Sequence, residues 1–163
     1  FFIIFNYHFT LYSMNENYYI ELALEQAKKG FKNDEVPVGA VLVDNISNKI
    51  IASSYNQTHS KKNPLKHAEI IVIEMGCIYK KSRYLYDTSI FITLEPCVMC
   101  SAAISEARIK KIYFGAYDQM KGAVDSIIKI YNNKRFFVPE IYGGIEEEKC
   151  TKILKEFFKK KRK

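Results

Sequence analysis

The chain reads as an α/β protein: a three-layer α-β-α arrangement in which helices flank a mixed five-stranded sheet. Three observations predict this. Extended and helical apolar patterns alternate along most of the length. The first two extended segments are joined by a short turn, as in a hairpin, whereas the later ones are separated by helices. And 163 residues with 48% hydrophobic content, without an internal repeat or a Pro/Gly/Ser-rich linker, suit one core and one domain.

The elements follow in order. Glu16 to Lys29 carries a helical stripe at Tyr19, Leu22, Ala23 and Ala27, with Gly30 as its stop. Val38 to Val43 is a continuous apolar run broken only by Gly39, the pattern of a strand buried on both faces. Lys49 to Ser53 is a second strand, and residues 44–48 make the turn between them. Asn63-Pro64 opens a helix from His67 to Met75, ended by Gly76. Ser89 to Leu94 is a strand. Pro96 sits where a helix over Cys97 to Ala107 begins, a position at which its missing N–H costs nothing. Ile109 to Gly115 is a strand, Ser126 to Tyr131 a short helix, and Phe136 to Tyr142 a last strand. Glu146 to Lys160 is an amphipathic helix whose apolar side bears Cys150, Ile153, Leu154, Phe157 and Phe158.

Both ends are unusual. Phe1 to Phe5 is apolar but far too short to span a bilayer, and it has neither a basic flank nor a cleavage site of small residues. The first methionine is Met14. Residues 1–13 are therefore expected to be a leader that is non-native or disordered, and residues 14–163 the domain proper. Net charge is +7. Lys159 to Lys163 carry five of those charges, and subtracting them leaves +2 for the rest. A charge gathered at one end suits a polyanionic partner, or a solvated tail that keeps the protein in solution.

Chemistry is concentrated in two short motifs. Cys97 and Cys100 are spaced C-x-x-C at a helix start, where two thiolates can hold one ion and the helix amides favour negative sulfur. Taken alone, such a pair is also a redox motif or half of a structural site. A structural zinc site needs four protein ligands, while a catalytic one keeps three and an open position. The sequence offers no second C-x-x-C and no H-x(3–5)-H, and His67, also at a helix start, is the best third ligand. Glu69, two residues on, sits where it faces the ion without ligating it and can carry protons. The order H-x-E…P-C-x-x-C is the signature of zinc deaminases that act on nucleobases. Cys77 and Cys150 lack partners at ligand spacing and read as core thiols.

From about Tyr18 to Arg162 the chain resembles the bacterial tRNA-specific adenosine deaminases, members of the cytidine deaminase-like zinc deaminase superfamily. Glu35-Val36-Pro37-Val38-Gly39-Ala40-Val41, Asn56, Asn63-Pro64, His67-Ala68-Glu69, and Thr93-Leu94-Glu95-Pro96-Cys97-Val98-Met99-Cys100 carry the resemblance. Phe114-Gly115-Ala116-Tyr117-Asp118, Gly122-Ala123 and Phe157-Phe158 before a basic run complete it. The resemblance implies a cytidine deaminase-like fold, a cytoplasmic homodimer that does not enter a membrane, and one zinc per subunit held by His67, Cys97 and Cys100. It implies hydrolytic conversion of adenosine to inosine at the wobble position of a tRNA anticodon of the tRNA-Arg type, with Glu69 moving protons to N1 and to the leaving amine. Asn56 and groups at Ala68, Leu94 and Glu95 would bind the flipped base. Phe157, Lys159, Lys160, Lys161 and Arg162 would contact the anticodon stem-loop, whose backbone gives salt-dependent affinity. The alternative reading of Asn56 is a turn-forming residue. Asn63, Tyr117 and Met120-Lys121 depart from the family's usual aspartate, basic residue and Lys-Thr, and lysines replace arginines in the tail. A deaminase of free guanine or cytosine, a non-catalytic RNA-binding subunit and a structural zinc module are the alternatives. The first has no use for a basic tail, the second typically loses the glutamate, and the third lacks its fourth ligand.

Overall fold

The computed structural model describes the backbone of residues 2–162 and the side chains of residues 16–162. The expected leader, residues 1–13, lies outside the residues whose side chains are described. In chain order the elements are α1 (Phe2–Lys32), β1 (Gly39–Asp44), β2 (Ile50–Tyr55), α2 (Ala68–Lys80), β3 (Thr88–Leu94), α3 (Val98–Glu106), β4 (Lys111–Ala116), β5 (Glu140–Tyr142) and α4 (Glu147–Lys161), with a single 3₁₀ turn at Ile130–Asn132. The five strands form one sheet in the order β2-β1-β3-β4-β5. β1 runs antiparallel to both β2 and β3, and β3, β4 and β5 are mutually parallel. The mixed five-stranded α/β sheet read from the sequence is the one observed.

Alternation along each strand builds the three layers. Ala40, Leu42, Ile90, Ile92, Ile112 and Phe114 point to one face and pack with Ala68 and Val72 of α2 and Ile104 of α3. Val41, Val43, Phe91 and Tyr113 point to the other, against Tyr19, Ile20, Ala23 and Leu24 of α1 and Cys150 of α4. Every residue of β1 is buried, as its unbroken apolar run requires. An aromatic row, Tyr19–Phe91–Tyr113–Tyr142, crosses the α1 face with ring centroids 4.5–4.8 Å apart.

Several local expectations are corrected. Gly30 does not stop α1, which runs on to Lys32, and Gly76 lies inside α2, which ends at Lys80. A Cβ at Gly76 would overlap the Leu42 side chain, so that glycine is there to let helix and sheet approach closely. The helix expected at Ser126–Tyr131 is reduced to the 3₁₀ turn, because Ile127 and Ile128 donate their N–H groups to Gly122 O and Ile130 donates to Ala123 O, off the four-residue ladder a helix needs. The last strand is only Glu140–Tyr142. Phe158, placed on the apolar side of α4, is 45% exposed.

The topology sets up one end of the molecule. β2 and β3 point the same way because each is antiparallel to β1, so α2 and α3 both begin at the same edge of the sheet. β1 starts there too, since Gly39 donates its N–H to Thr93 Oγ1 at 3.1 Å. The helix N-termini, which carry unsatisfied N–H groups and partial positive charge, therefore face a common space.

Candidate metal and active site

His67 is the N-cap residue of α2 and Cys97 the N-cap residue of α3, and neither side chain caps its own helix. Both side chains turn instead to each other. His67 Nδ1 lies 3.8 Å from Cys97 Sγ and 3.5 Å from Cys100 Sγ. One ligand atom from each of these three residues falls within 4.8 Å of the others, the single such group among the described residues. Cys100 is fully buried, while His67 and Cys97 are half-buried.

The thiols are unequal. Hydrogen bonding from the Cys100 thiol pulls Cys97 down to about 4 against the opposing effect of burial, and His67 and the Cys100 N–H add to it. Cys100 moves the other way, because it gives its hydrogen bond to Cys97 and is desolvated beside Glu69. A proton shared between two thiols is what a soft divalent cation displaces on binding. One imidazole and two thiolates, with no fourth His, Cys, Asp or Glu joining them among the described residues, match the donor set of a zinc site with an open position.

Glu69 completes the arrangement. It is 3% exposed, and its Oε2 has no hydrogen-bond partner. Burial raises its pKa above the ordinary carboxylate range, partly countered by its own backbone N–H and by the nearby His67 and Cys100. A buried, unpartnered carboxylate oxygen costs free energy unless a ligand or solvent satisfies it. Its position beside the three ligand atoms suits a group that exchanges protons with a reactant held there.

The loop between β2 and α2 carries Asn56, 7% exposed. Its Oδ1 accepts the N–H of Ala68, the first residue of α2, at 2.8 Å. Asn56 thus supplies from a distance the cap that His67 withholds, and what remains to offer a ligand is its Nδ2 donor. Leu94 is half-buried at the end of β3, and the Glu95 N–H is taken by Ala116 O at 2.8 Å.

Sequence reasoning missed what two buried carboxylates do. Glu35, fully buried, accepts from Ser60 N at 2.8 Å, His59 N at 3.1 Å and Thr58 Oγ1 at 3.2 Å, pinning the loop that runs from Asn56 to His67. Glu95, 2% exposed, accepts the N–H groups of Asp118, Val124, Asp125 and Ser126 at 2.7–3.2 Å, and the Ser126 hydroxyl. Residues 118–126 therefore wrap a carboxylate that stands two residues before Cys97. Ala123 N donates to Pro96 O at 2.9 Å and Gly122 pairs with Cys97. A Cβ on Gly122 would overlap the Glu95 carboxylate, which accounts for glycine there. Burial pushes Glu95 up, but the hydrogen bonds from Ser126, Asp125 and Asp118 outweigh it and hold the group ionised. Each residue stood in a motif, Glu35-Val36-Pro37 and Leu94-Glu95-Pro96, yet nothing in those motifs says which backbone N–H groups are received.

At the far end of the chain Phe157 is buried against Phe31, with ring centroids 5.6 Å apart; the exposed ring of the pair is Phe158. Lys159, Lys160, Lys161 and Arg162 are exposed. Lys161 Nζ lies 2.5 Å from Asp34 Oδ2. Ala116, Tyr117, Leu154, Lys155, Phe158 and Arg162 contribute to an open groove of about 500 Å³ between β4 and α4. The structure brings His67, Ala68, Glu69, Asn56, Cys97 and Cys100 together and leaves the basic end of α4 on the neighbouring surface.

Two helix starts that present one imidazole and two thiols beside a buried glutamate, on a mixed five-stranded sheet, are the arrangement of a cytidine deaminase-like hydrolase with a metal-binding site. Residues 13–116 match the family model for the cytidine and deoxycytidylate deaminase zinc-binding region. The tRNA-specific adenosine deaminase of Rickettsia felis is 49% identical over 142 residues, covering 86% of this chain and 99% of that protein. Its counterpart from Bacillus subtilis is 36% identical over 146 residues, 89% of each. Among solved structures, one from studies of A-to-I editing by tRNA deaminases at the wobble position of transfer RNA superposes with a TM-score of 0.81. It is 40% identical and covers 84% of this chain and 99% of its own. A guanine deaminase from Nitrosomonas europaea shares the fold, with a TM-score of 0.75 at 16% identity over 86% of this chain and 83% of its own. The chain belongs to the cytidine and deoxycytidylate deaminase zinc-binding family and, within it, to the tRNA-specific adenosine deaminases. None of its described helices is long and apolar enough to cross a membrane.

Proposed function

We propose that this chain deaminates adenosine to inosine at the wobble position of a tRNA-Arg anticodon, as a cytoplasmic homodimer with one zinc per subunit. The observation that carries the reading is the convergence of His67 Nδ1, Cys97 Sγ and Cys100 Sγ within 4.8 Å, beside a buried Glu69 whose Oε2 lacks a partner. The family relationship supplies the substrate class.

His67, Cys97 and Cys100 would hold the zinc, which as a Lewis acid makes water nucleophilic near neutral pH. Glu69, excluded from the ligand set and buried, takes the proton of the attacking water and delivers it to N1 of adenine as C6 is attacked. It then protonates the departing amino group, so that water and adenosine leave as inosine and ammonia. Asn56 offers its Nδ2 donor to the flipped nucleoside, since its Oδ1 already holds Ala68. Backbone groups at Ala68, Leu94 and Glu95 line the base pocket. Lys159, Lys160, Lys161 and Arg162 meet the anticodon stem-loop backbone, and Phe157 supports that surface from below.

Testing the tRNA requires tRNA transcripts carrying adenosine at the wobble position and sequencing of inosine as guanosine. Conversion of the arginine tRNA ahead of the others is expected. Equal conversion of every such tRNA would refute the assignment to tRNA-Arg and leave the reaction in place.

A further inference from the structure

Two cationic segments far apart in sequence meet at the active-site end. The first is the loop from Asn56 to His67, Gln57-Thr58-His59-Ser60-Lys61-Lys62-Asn63-Pro64-Leu65-Lys66, which contains no acidic residue. The second is the end of α4. They come together around Asp34 and Glu35. Glu35 receives the loop's Thr58 hydroxyl and its His59 and Ser60 N–H groups, while Asp34 pairs with Lys161 of α4. Phe31, three residues before Asp34, packs on Phe157 and lies under Lys160, whose Nζ is 5.6 Å from the ring centroid. Asp34 feels both segments: Lys161 chiefly, and also Lys160 and His59, hold its carboxyl below the ordinary range.

Asp34 is paired with Lys161 and the buried Glu35 gives its lone pairs to neutral loop donors, so neither forms an ion pair with Lys61 or Lys62. Lys66 is paired with Glu74 at 2.8 Å. Lys61 and Lys62 are exposed and have no acidic partner among the described residues. They are also held in place. Gln57 N bonds Lys66 O, Lys61 N bonds Gln57 O, Lys62 N bonds His59 O and Asn63 N bonds Thr58 O, all at 2.9–3.1 Å. Cations on a fixed loop lose less freedom on binding than cations on a flexible one.

We infer that Lys61 and Lys62 form a second phosphate-binding edge, so that the RNA backbone is gripped between the Asn56–His67 loop and the end of α4. A polyanion of regular charge spacing is the partner that two separated cationic edges fit. The loop edge adjoins the residues proposed to bind the base and the metal, so it would meet phosphates next to the flipped nucleotide, whereas α4 would meet the stem. This inference rests on the proposed tRNA substrate.

The test compares the wild-type protein with Lys61→Ala/Lys62→Ala and with a control of equal charge loss, Lys49→Ala/Lys110→Ala. The control lysines precede β2 and β4 and so lie at the opposite end of the sheet. Binding of a labelled anticodon stem-loop is followed by anisotropy across a salt series, and inosine formation gives KM and kcat. With roughly one counterion released per phosphate contact, the loop variant is expected to lose about 1–2 from the log–log salt slope and about tenfold in affinity. KM rises with the affinity loss, kcat stays within about twofold, and the control matches wild type. Lys61→Glu/Lys62→Glu should weaken binding further. A loop variant with unchanged slope and KM, while wild type converts the stem-loop, overturns the inference alone. A wild-type protein that neither binds nor converts the stem-loop overturns the tRNA reading and this inference with it.

Discussion

Asn56 Oδ1 receives the N–H of Ala68 across 2.8 Å, and that bond joins the end of β2 to the first turn of α2, between the candidate metal ligand His67 and the candidate proton carrier Glu69. Asn56 therefore has two separable properties, an acceptor that caps a helix and a donor that is left for the substrate. Asn56→Asp keeps the acceptor and loses the donor. It should hold the melting temperature within a few degrees yet lower kcat/KM for the stem-loop about 10- to 100-fold, the order expected when a buried contact to a substrate is removed. Asn56→Ala loses both, and should add a stability loss of about 1 kcal/mol, as for other lost helix caps. Calorimetry with steady-state kinetics separates the two effects. If Asn56→Asp turns over normally, Asn56 is a cap and nothing more.

Glu69 is a proton carrier in this account and not a ligand. Glu69→Gln and Glu69→Ala should retain one zinc per chain by elemental analysis while inosine formation falls by about 10²–10⁴, the usual worth of a positioned general acid–base. Both should match or exceed wild type in stability, because the buried carboxylate with its unpartnered Oε2 is relieved. By contrast His67→Ala and Cys97→Ala should lose zinc together with activity. A Glu69→Ala protein with near-normal turnover would remove the proposed mechanism.

Glu95 anchors residues 118–126 through four backbone N–H groups and the Ser126 hydroxyl. Glu95→Ala leaves those donors without their shared acceptor, and should cost about 3 kcal/mol, the lower end of the range for breaking a buried charged network because the site is partly buried. Hydrogen exchange should show Val124, Asp125 and Ser126 amides losing protection first. Unchanged protection at those amides would mean that the loop is held by something other than Glu95.

Asp44 joins Lys80 of α2 and also accepts the N–H groups of Ile46 and Ser47 at 2.9 Å. The Lys80 contact, then the Ser47 N–H, hold its carboxyl down at about 2. A lowered carboxylate stabilises the fold fully above its unfolded value, and loses that contribution as pH falls towards the folded one. The Asp44 share, about 1–2 kcal/mol, should therefore be intact above about pH 4 and disappear between about pH 4 and pH 2. Asp44→Asn should lower stability at neutral pH and flatten that part of the acid-unfolding profile. A variant whose acid limb matches wild type contradicts the assignment.

The residues that carry the family signature could be read in advance because their chemistry is written in residue type. Only thiol, imidazole and carboxylate do this work, and His67-Ala68-Glu69 and Cys97-Val98-Met99-Cys100 name them at a fixed spacing. The mixed sheet was legible for a similar reason, since the buried apolar run at Val38–Val43 has few other uses. Less was legible where the partner is backbone. Glu35 and Glu95 bond N–H groups that any residue could supply, so their loops leave no mark in composition. Ser126–Tyr131 shows a helical pattern, but the N–H groups of Ile127, Ile128 and Ile130 turn back to Gly122 O and Ala123 O, contacts that residue type does not announce. Gly30 and Gly76 looked like stops because glycine usually ends a helix; a close approach to neighbouring side chains explains them instead. Phe157 and Phe158 are adjacent in sequence and opposite in role, which only the docking of α4 on Phe31 decides.

The central claim is that this zinc-deaminase site works on an anticodon and not on a free base. The most direct measurement is inosine formation on a synthetic anticodon stem-loop with adenosine at the wobble position, run beside free adenosine, guanine and cytidine. Conversion of the stem-loop and no detectable product from the free compounds are expected. Deamination of guanine or cytidine, with the stem-loop left intact, would contradict that claim while leaving His67, Glu69, Cys97 and Cys100 in the same chemical roles.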